Sequence, residues 1–297
     1  MLFELNVYLV LGFIDNMPKL QVNQRILAIV VTYYPERELL EKNISAFIED
    51  VDHVLIWENT PAEEKISYRF IEHEKVEYCG DGMNSISHAL NFAWQKARSS
   101  GYDYVLTMDQ DSVWEGFHSY IEQTVNNPKA PFGIWGPDVF EGDIINEIQE
   151  YDKIITSGML LKVDLIDQVG GWNEFFPIDC VDDEFCLRAK RKGIRTYMFG
   201  MCRLHQQFGT PKTVSFLGHS WILGYDSPKR LHSIYKNHVI LVRMFPESKS
   251  AEYELRCYWL PLIKWYVLGG AKPIHNFVAI FRGVTSGLIY KLRQCTM

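Results

Sequence analysis

An unbroken apolar and β-branched run, Ile26–Thr32 (ILAIVVT), is the first clear signal in the chain and suits a strand buried on both faces of a parallel sheet. Tyr33-Tyr34-Pro35 breaks it. Over Glu36–Glu49, Leu39, Leu40, Ile44 and Phe47 then recur at helical spacing. His53–Trp57 (HVLIW) predicts a second strand, stopped by Asn59-Thr60-Pro61. Ser85–Arg98 is the strongest helix: Ile86, Ala89, Leu90, Ala93, Trp94 and Ala97 share one face, and Gly101 follows as the stop. Tyr104–Met108 (YVLTM) is another buried strand. Asp182–Lys192 reads as a further helix with Gly193 as its stop, and Ile194–Phe199 as the strand after it. Alternating strands and helices predict an α/β fold with right-handed crossovers and a mostly parallel central sheet. Ligands of such sheets bind beyond the carboxyl ends of the strands. Neither a P-loop nor a G-x-G-x-x-G follows the first strand, so the common phosphate cradles are absent.

Composition narrows the class. The 297 residues are 47% hydrophobic and 23% charged, as in a folded globular protein. The net charge of −7 argues against a nucleic-acid coat. That charge is uneven. Beyond Glu254 there is no acidic residue, and Arg256, Lys264, Lys272, Arg282, Lys291 and Arg293 make this segment +6, leaving 24 cations and 37 anions, net −13, in the rest. The predicted organisation is a leader (1–24), an α/β domain (25–245) and a basic, aromatic helical tail (246–297). The leader's apolar run Val7–Ile14 is too short to span a bilayer and lacks the flanks of a signal peptide. A start at Met17 would omit it; the other reading is a short membrane-touching segment. Six cysteines in no metal-binding spacing read as reduced thiols of a cytoplasmic protein.

Candidate chemistry begins where Tyr104–Met108 runs into Asp109-Gln110-Asp111. Two carboxylates at the end of a buried strand are costly unless they hold a cation, and a hard divalent ion with oxygen ligands is Mg²⁺ or Mn²⁺. Asp182-Asp183-Glu184 is a second acidic cluster, also explicable as a helix first turn favoured by the dipole.

The segments ILAIVVTYYP, GYDYVLTMDQDS and FPIDCVDDEFCLRAKRKG resemble family 2 glycosyltransferases of the GT-A fold, and among them the bacterial rhamnosyltransferase-type members. The resemblance covers roughly residues 25–245 and implies a Rossmann-like nucleotide-sugar-binding fold. It assigns Thr32, Tyr33, Glu58, Asp109, Ser157 and Gly158 to the nucleotide-sugar. Asp109, Asp111 and His205 would serve the metal, His205 opening an H-x-x-x-G. Trp172 and Glu174, in Gly170-Gly171-Trp172-Asn173-Glu174, would bind the acceptor. The register Asp182-x-x-Phe185-x-x-Arg188 places the catalytic base on Asp182, with Asp183 as the second candidate. Val181 stands where the family more often has an acidic residue, Phe92 where it has glycine and Lys236 where it has arginine.

The implied enzyme is a metal-dependent, inverting hexosyltransferase. It moves a sugar, rhamnose by resemblance, from a nucleotide-diphosphate donor to a saccharide or lipid-linked acceptor in surface polysaccharide synthesis. The alternatives are a nucleotide- or sugar-binding module without turnover, and a nucleotidyltransferase, which the segment TYYPERE disfavours. No run in the tail reaches the ~20 apolar residues of a span. Its cations and aromatics suit a segment lying on an anionic leaflet, at the inner face of the plasma membrane. The tail could instead pack on the α/β core or on a second copy in a homo-oligomer.

Overall fold

The computed structural model describes residues 24–139, 147–206, 211–216, 219–224, 227–268 and 272–292. All but the last residue of the expected leader, and the Gly209 end of the H-x-x-x-G, lie outside these. The strands are β1 (Ile26–Thr32), β2 (His53–Glu58), β3 (Val76–Cys79), β4 (Tyr104–Asp109), β5 (Ser112–Glu115), β6 (Gly133–Asp138), β7 (Ile148–Tyr151), β8 (Met159–Lys162), β9 (Arg195–Gln206), β10 (Pro211–Phe216) and β11 (His219–Gly224). The main sheet runs β3-β2-β1-β4-β8-β6-β9-β5, with β7 added on β9; β10 and β11 form a separate hairpin.

β3, β2, β1 and β4 are all parallel, while the other half is mixed: β8 is antiparallel to both β4 and β6, and β6 is parallel to β9. Chain order reverses at β1, which opens a crevice beyond the carboxyl ends of β1 and β4, where Val31 pairs Asp109.

Both faces of β1, β2 and β4 are covered, which is why these strands read as nearly continuous apolar runs. Leu27, Ile29 and Val31 face a layer formed by α2 (Ile86–Ser99), α4 (Val163–Val169) and α5 (Val181–Arg191). Ala28 and Val30 face α1 (Arg37–Ser45) and α3 (Phe117–Gln123). Ala89, Leu90, Ala93 and Ala97 bury the predicted stripe of α2, whose N-cap Ser85 accepts from the His88 N–H.

The C-terminal region is helical: α6 (Pro228–Met244), α7 (Lys249–Tyr253), a π-helical turn (Glu254–Trp259), α8 (Leu260–Leu268) and α9 (Pro273–Ile289). Leu231, Ile234 and Tyr235 of α6 pack with Trp265, Tyr266 and Ile280. α9 lies close on α6 because Gly283 and Gly287 present no side chain there: a Cβ at Gly283 would sit 2.5 Å from the His232 carbonyl oxygen. Among the described residues no helix is long and apolar enough to cross a membrane.

Candidate active site

Five side chains brace the carboxyl end of β4. The Gln110 amide spans the crevice: its oxygen accepts from the Tyr33 N–H (2.7 Å) and its nitrogen donates to the Tyr33 carbonyl (3.2 Å). Asn43 donates to the Asp109 carbonyl (2.6 Å). The Gln206 amide donates to the Asp109 carboxylate (2.7 Å) and accepts from the Ser112 hydroxyl (3.0 Å). The Ser157 hydroxyl donates to Ser112 Oγ (2.7 Å) and accepts from the Asp109 N–H (3.1 Å). Asp109 is thus held in place at backbone and carboxylate, with Asp111 two residues on. Burial pushes the Asp109 pKa up despite the Gln206 hydrogen bond; burial and the Asp109 charge push Asp111 up to about 6. Two carboxylates crowded at a half-buried strand end are the oxygen donor set that fits a hard divalent ion.

Thr32 and Glu58 meet across the β1–β2 register. Glu58 is buried and held by Arg69 (2.7 Å), so its charge is compensated. Tyr33 is exposed at the crevice, beside Tyr34 in left-handed backbone at φ 47°. Of the residues expected at the donor, Thr32, Tyr33, Glu58 and Asp109 gather here. Ser157 and Gly158 gather beneath them: Ser157 is fully buried and spends its hydroxyl on the brace. Gly158, at φ +82°, donates its N–H to the Thr107 carbonyl (2.7 Å).

The structure does not turn His205 to Asp109. Adjacent strand residues face opposite ways, and Gln206 is the one turned to Asp109. His205 is exposed and meets Glu115 (2.9 Å). Trp172 is likewise not a cleft residue. Gly170 and Gly171, at φ 97° and 73°, roll the chain inward, and Trp172 is fully buried, stacked on Phe185 with centroids 4.8 Å apart. Asn91 clamps that turn, accepting from the Trp172 N–H and donating to its carbonyl. Glu174 sits with Asn91 and His88 (2.9 and 3.2 Å).

That second cluster lies at the N-terminus of α5, entered through Cys180 in left-handed backbone at φ 66°. Asp182 accepts from the Thr156 N–H (3.2 Å) and the Asp183 N–H (2.9 Å). Burial and the neighbouring Asp183 charge push its pKa up to about 7, against the pull of Lys153. Asp183 instead pairs with Lys153 (2.6 Å), which also pairs with Glu254 from the C-terminal region. Burial disfavours the Glu254 charge, but His238 and Lys153 hold its pKa down at about 2. Asp179, beside the cluster, is tied to Arg230 (2.8 Å). A cavity of about 540 Å³ opens over Asp182 and Asp183, walled by Tyr151, Lys153, Tyr258 and Trp259 among others.

Thr156 and Ser157 connect the two clusters. The Thr156 N–H holds Asp182 and the hydroxyl of the next residue holds the Asp109 N–H, so both acidic groups are anchored on neighbouring residues. Cys180, Asp183 and His238 also converge, their potential ligand atoms within 4.8 Å of one another. There, however, Lys153 already compensates Asp183, and His238 Nδ1 is turned to the Ile234 carbonyl (3.0 Å). Sequence reasoning missed Gln206, Gln110, Lys153, His238 and Glu254. Only Gln206 left a signal, as the alternate position to His205.

The fold superposes on GalNAc-T7, solved with UDP, GalNAc and Mn²⁺, at a TM-score of 0.56 and 10% identity, covering 75% of this chain and 48% of that one. This chain thus spans about half of that protein. A mannosyltransferase of Pyrobaculum calidifontis, solved with GDP-Man and Mn²⁺, superposes at 0.55 and 13% identity over 96% and 94% of the two chains. No family model matches the sequence. The fold is therefore the GT-A fold of these two glycosyltransferases. Among curated proteins, a relative is the dTDP-rhamnosyl transferase RfbF of Shigella flexneri, 25% identical over 246 residues, covering 75% of this chain and 81% of that protein.

Proposed function

We propose that this chain is an inverting hexosyltransferase that takes a sugar from a nucleotide-diphosphate donor lying over the β1–β4 crevice. The acceptor is a hydroxyl of a saccharide or lipid-linked saccharide in surface polysaccharide assembly. The observation that carries this reading is the pair of acidic sites anchored on Thr156 and Ser157, one with two carboxylates suited to a cation, the other on a cavity. The relative's substrate points to rhamnose carried on deoxythymidine diphosphate.

Tyr33 offers an exposed ring for the nucleotide base, and Thr32 and Glu58 line the same strand ends. Asp109 and Asp111 would hold Mg²⁺ or Mn²⁺, which when bound supplies Lewis-acid stabilisation of the departing diphosphate. Asp182 takes the acceptor's proton as general base, a role suited to a carboxyl whose pKa is raised to about 7. A single displacement with the base opposite the leaving group inverts the anomeric carbon, as it does by analogy in inverting glycosidases. Residues 25–245 carry this chemistry, and 246–297 add Glu254, Tyr258 and Trp259 to the cavity. A peripheral position on the inner face of the plasma membrane suits a lipid-linked acceptor.

A panel of nucleotide-sugars, including deoxythymidine-diphosphate rhamnose, incubated with Mn²⁺ and followed for nucleotide release tests the reading. Asp182→Asn should lose roughly 10²–10⁴ in turnover while donor affinity is kept. Donor binding without product under every acceptor tried would make the chain a binding module instead.

A further inference from the structure

The inner side of α9 is occupied: Asn276, Ile280, Gly283 and Gly287 are buried, against α6 and α8. Its outer side is apolar and uncovered among the described residues. Ile274 is 75% exposed, Phe281 61% and Ile289 80%, with Phe277, Val278 and Leu288 between them. Their spacing places them along one helical face, and Phe277 and Phe281 stack at 6.4 Å. An apolar strip of this kind on a folded protein marks a contact surface.

Charge selects the occupant. Lys272, Arg282 and Lys291 are exposed at its ends and beside it, and no acidic residue occurs anywhere from 255 to 297. A two-fold contact between copies would set these cations against themselves with no tail carboxylate to answer them. An anionic lipid surface answers both features, taking the apolar face among its acyl chains and the cations among its headgroups. The rest of the chain, at net −13, is repelled by that surface and so turns outward. We infer that the outer face of α9 is a docking surface for an anionic lipid bilayer. It supplies the contact for a peripheral enzyme and is independent of which sugar, or whether any sugar, is transferred.

Flotation of the full chain tests it, with phosphatidylglycerol–phosphatidylcholine vesicles beside phosphatidylcholine alone. The chain should float with the anionic vesicles at low salt and be released by high salt. Phe277→Glu/Phe281→Glu, on an exposed face, should keep its thermal melt and lose at least about tenfold in partitioning; Arg282→Glu should lose less, in proportion to charge. A full chain that stays soluble with anionic vesicles overturns the inference, whether its own N-terminal segment or a second copy takes the face. So does a folded double variant that floats as well as the parent, or one that changes only from dimer to monomer. Nucleotide release from a donor is read separately, so failure of docking and failure of sugar transfer are distinct results.

Discussion

Asp182 and Asp183 are sequence neighbours with different partners because of one lysine. Lys153 pairs directly with Asp183, while Asp182 accepts two backbone N–H groups and, among the described residues, forms no ion pair. A base must be deprotonated to act, so kcat/KM should rise with pH through about 7 and level off above it. Lys153 is the charge that pulls Asp182 down, so Lys153→Met should move that limb to higher pH. An unmoved limb would place the titrating group elsewhere. The same variant strands Asp183, leaves Glu254 with His238 alone, and should cost ~3–5 kcal/mol of stability, read from denaturant unfolding. At the β4 pair, saturating Mn²⁺ at about a hundred times its Kd should stabilise the protein by ~2.7 kcal/mol, seen as a raised Tm. Asp111→Asn should abolish that rise; an undiminished rise would move the cation to Cys180, Asp183 and His238. Asp109 and Asp111 were legible because they end a run of buried residues, where ionised groups need a reason. Trp172 was not, because a tryptophan after two glycines reads the same whether the turn rolls outward or inward. Lys153 and Glu254 were beyond reach: they are 101 positions apart, and only the fold brings them together.

β1, β2 and β4 emerged within a residue of their expected ends, since two-sided burial imposes an unbroken apolar run, whereas the half-buried β3 (VEYC) left no such run and was not expected. Elements whose ends depend on tertiary packing did not. The helix expected over Glu36–Glu49 stops at Ser45, because Phe47 leaves helical geometry at φ −140° to bury its ring against Phe117, 5.8 Å between centroids. The strand expected over Ile194–Phe199 continues to Gln206, since pairing with β5 extends β9 past its apolar part. That extension set the alternation by which Gln206 rather than His205 faces the acidic pair. The seam between α6 and α9 depends on missing side chains. Gly283→Ala should force the helices apart and cost ~1–3 kcal/mol, measured by thermal or urea unfolding. An unchanged midpoint would mean that α9 does not bear on α6 in solution.

Across the whole molecule, the α/β sheet region and the C-terminal helices are joined by buried charge as well as by apolar packing. Glu254 opens the turn that leads into the tail, and through Lys153 it also sets the field at Asp182. Loss of this ion pair is a pH-dependent event. The folded pKa of Glu254 lies below its ordinary value, so its stabilisation is present above about 4.5 and fades as pH falls towards about 2. The joint has a thermodynamic corollary. If ordering the tail on a surface strengthens occupancy of the cavity, occupancy must strengthen surface attachment by the same factor, because coupling free energies are reciprocal. An acceptor analogue would then retain the enzyme where its substrate is made, and a spent product would let it go. Residence time on the surface would thereby become a readout of whether the cavity is filled.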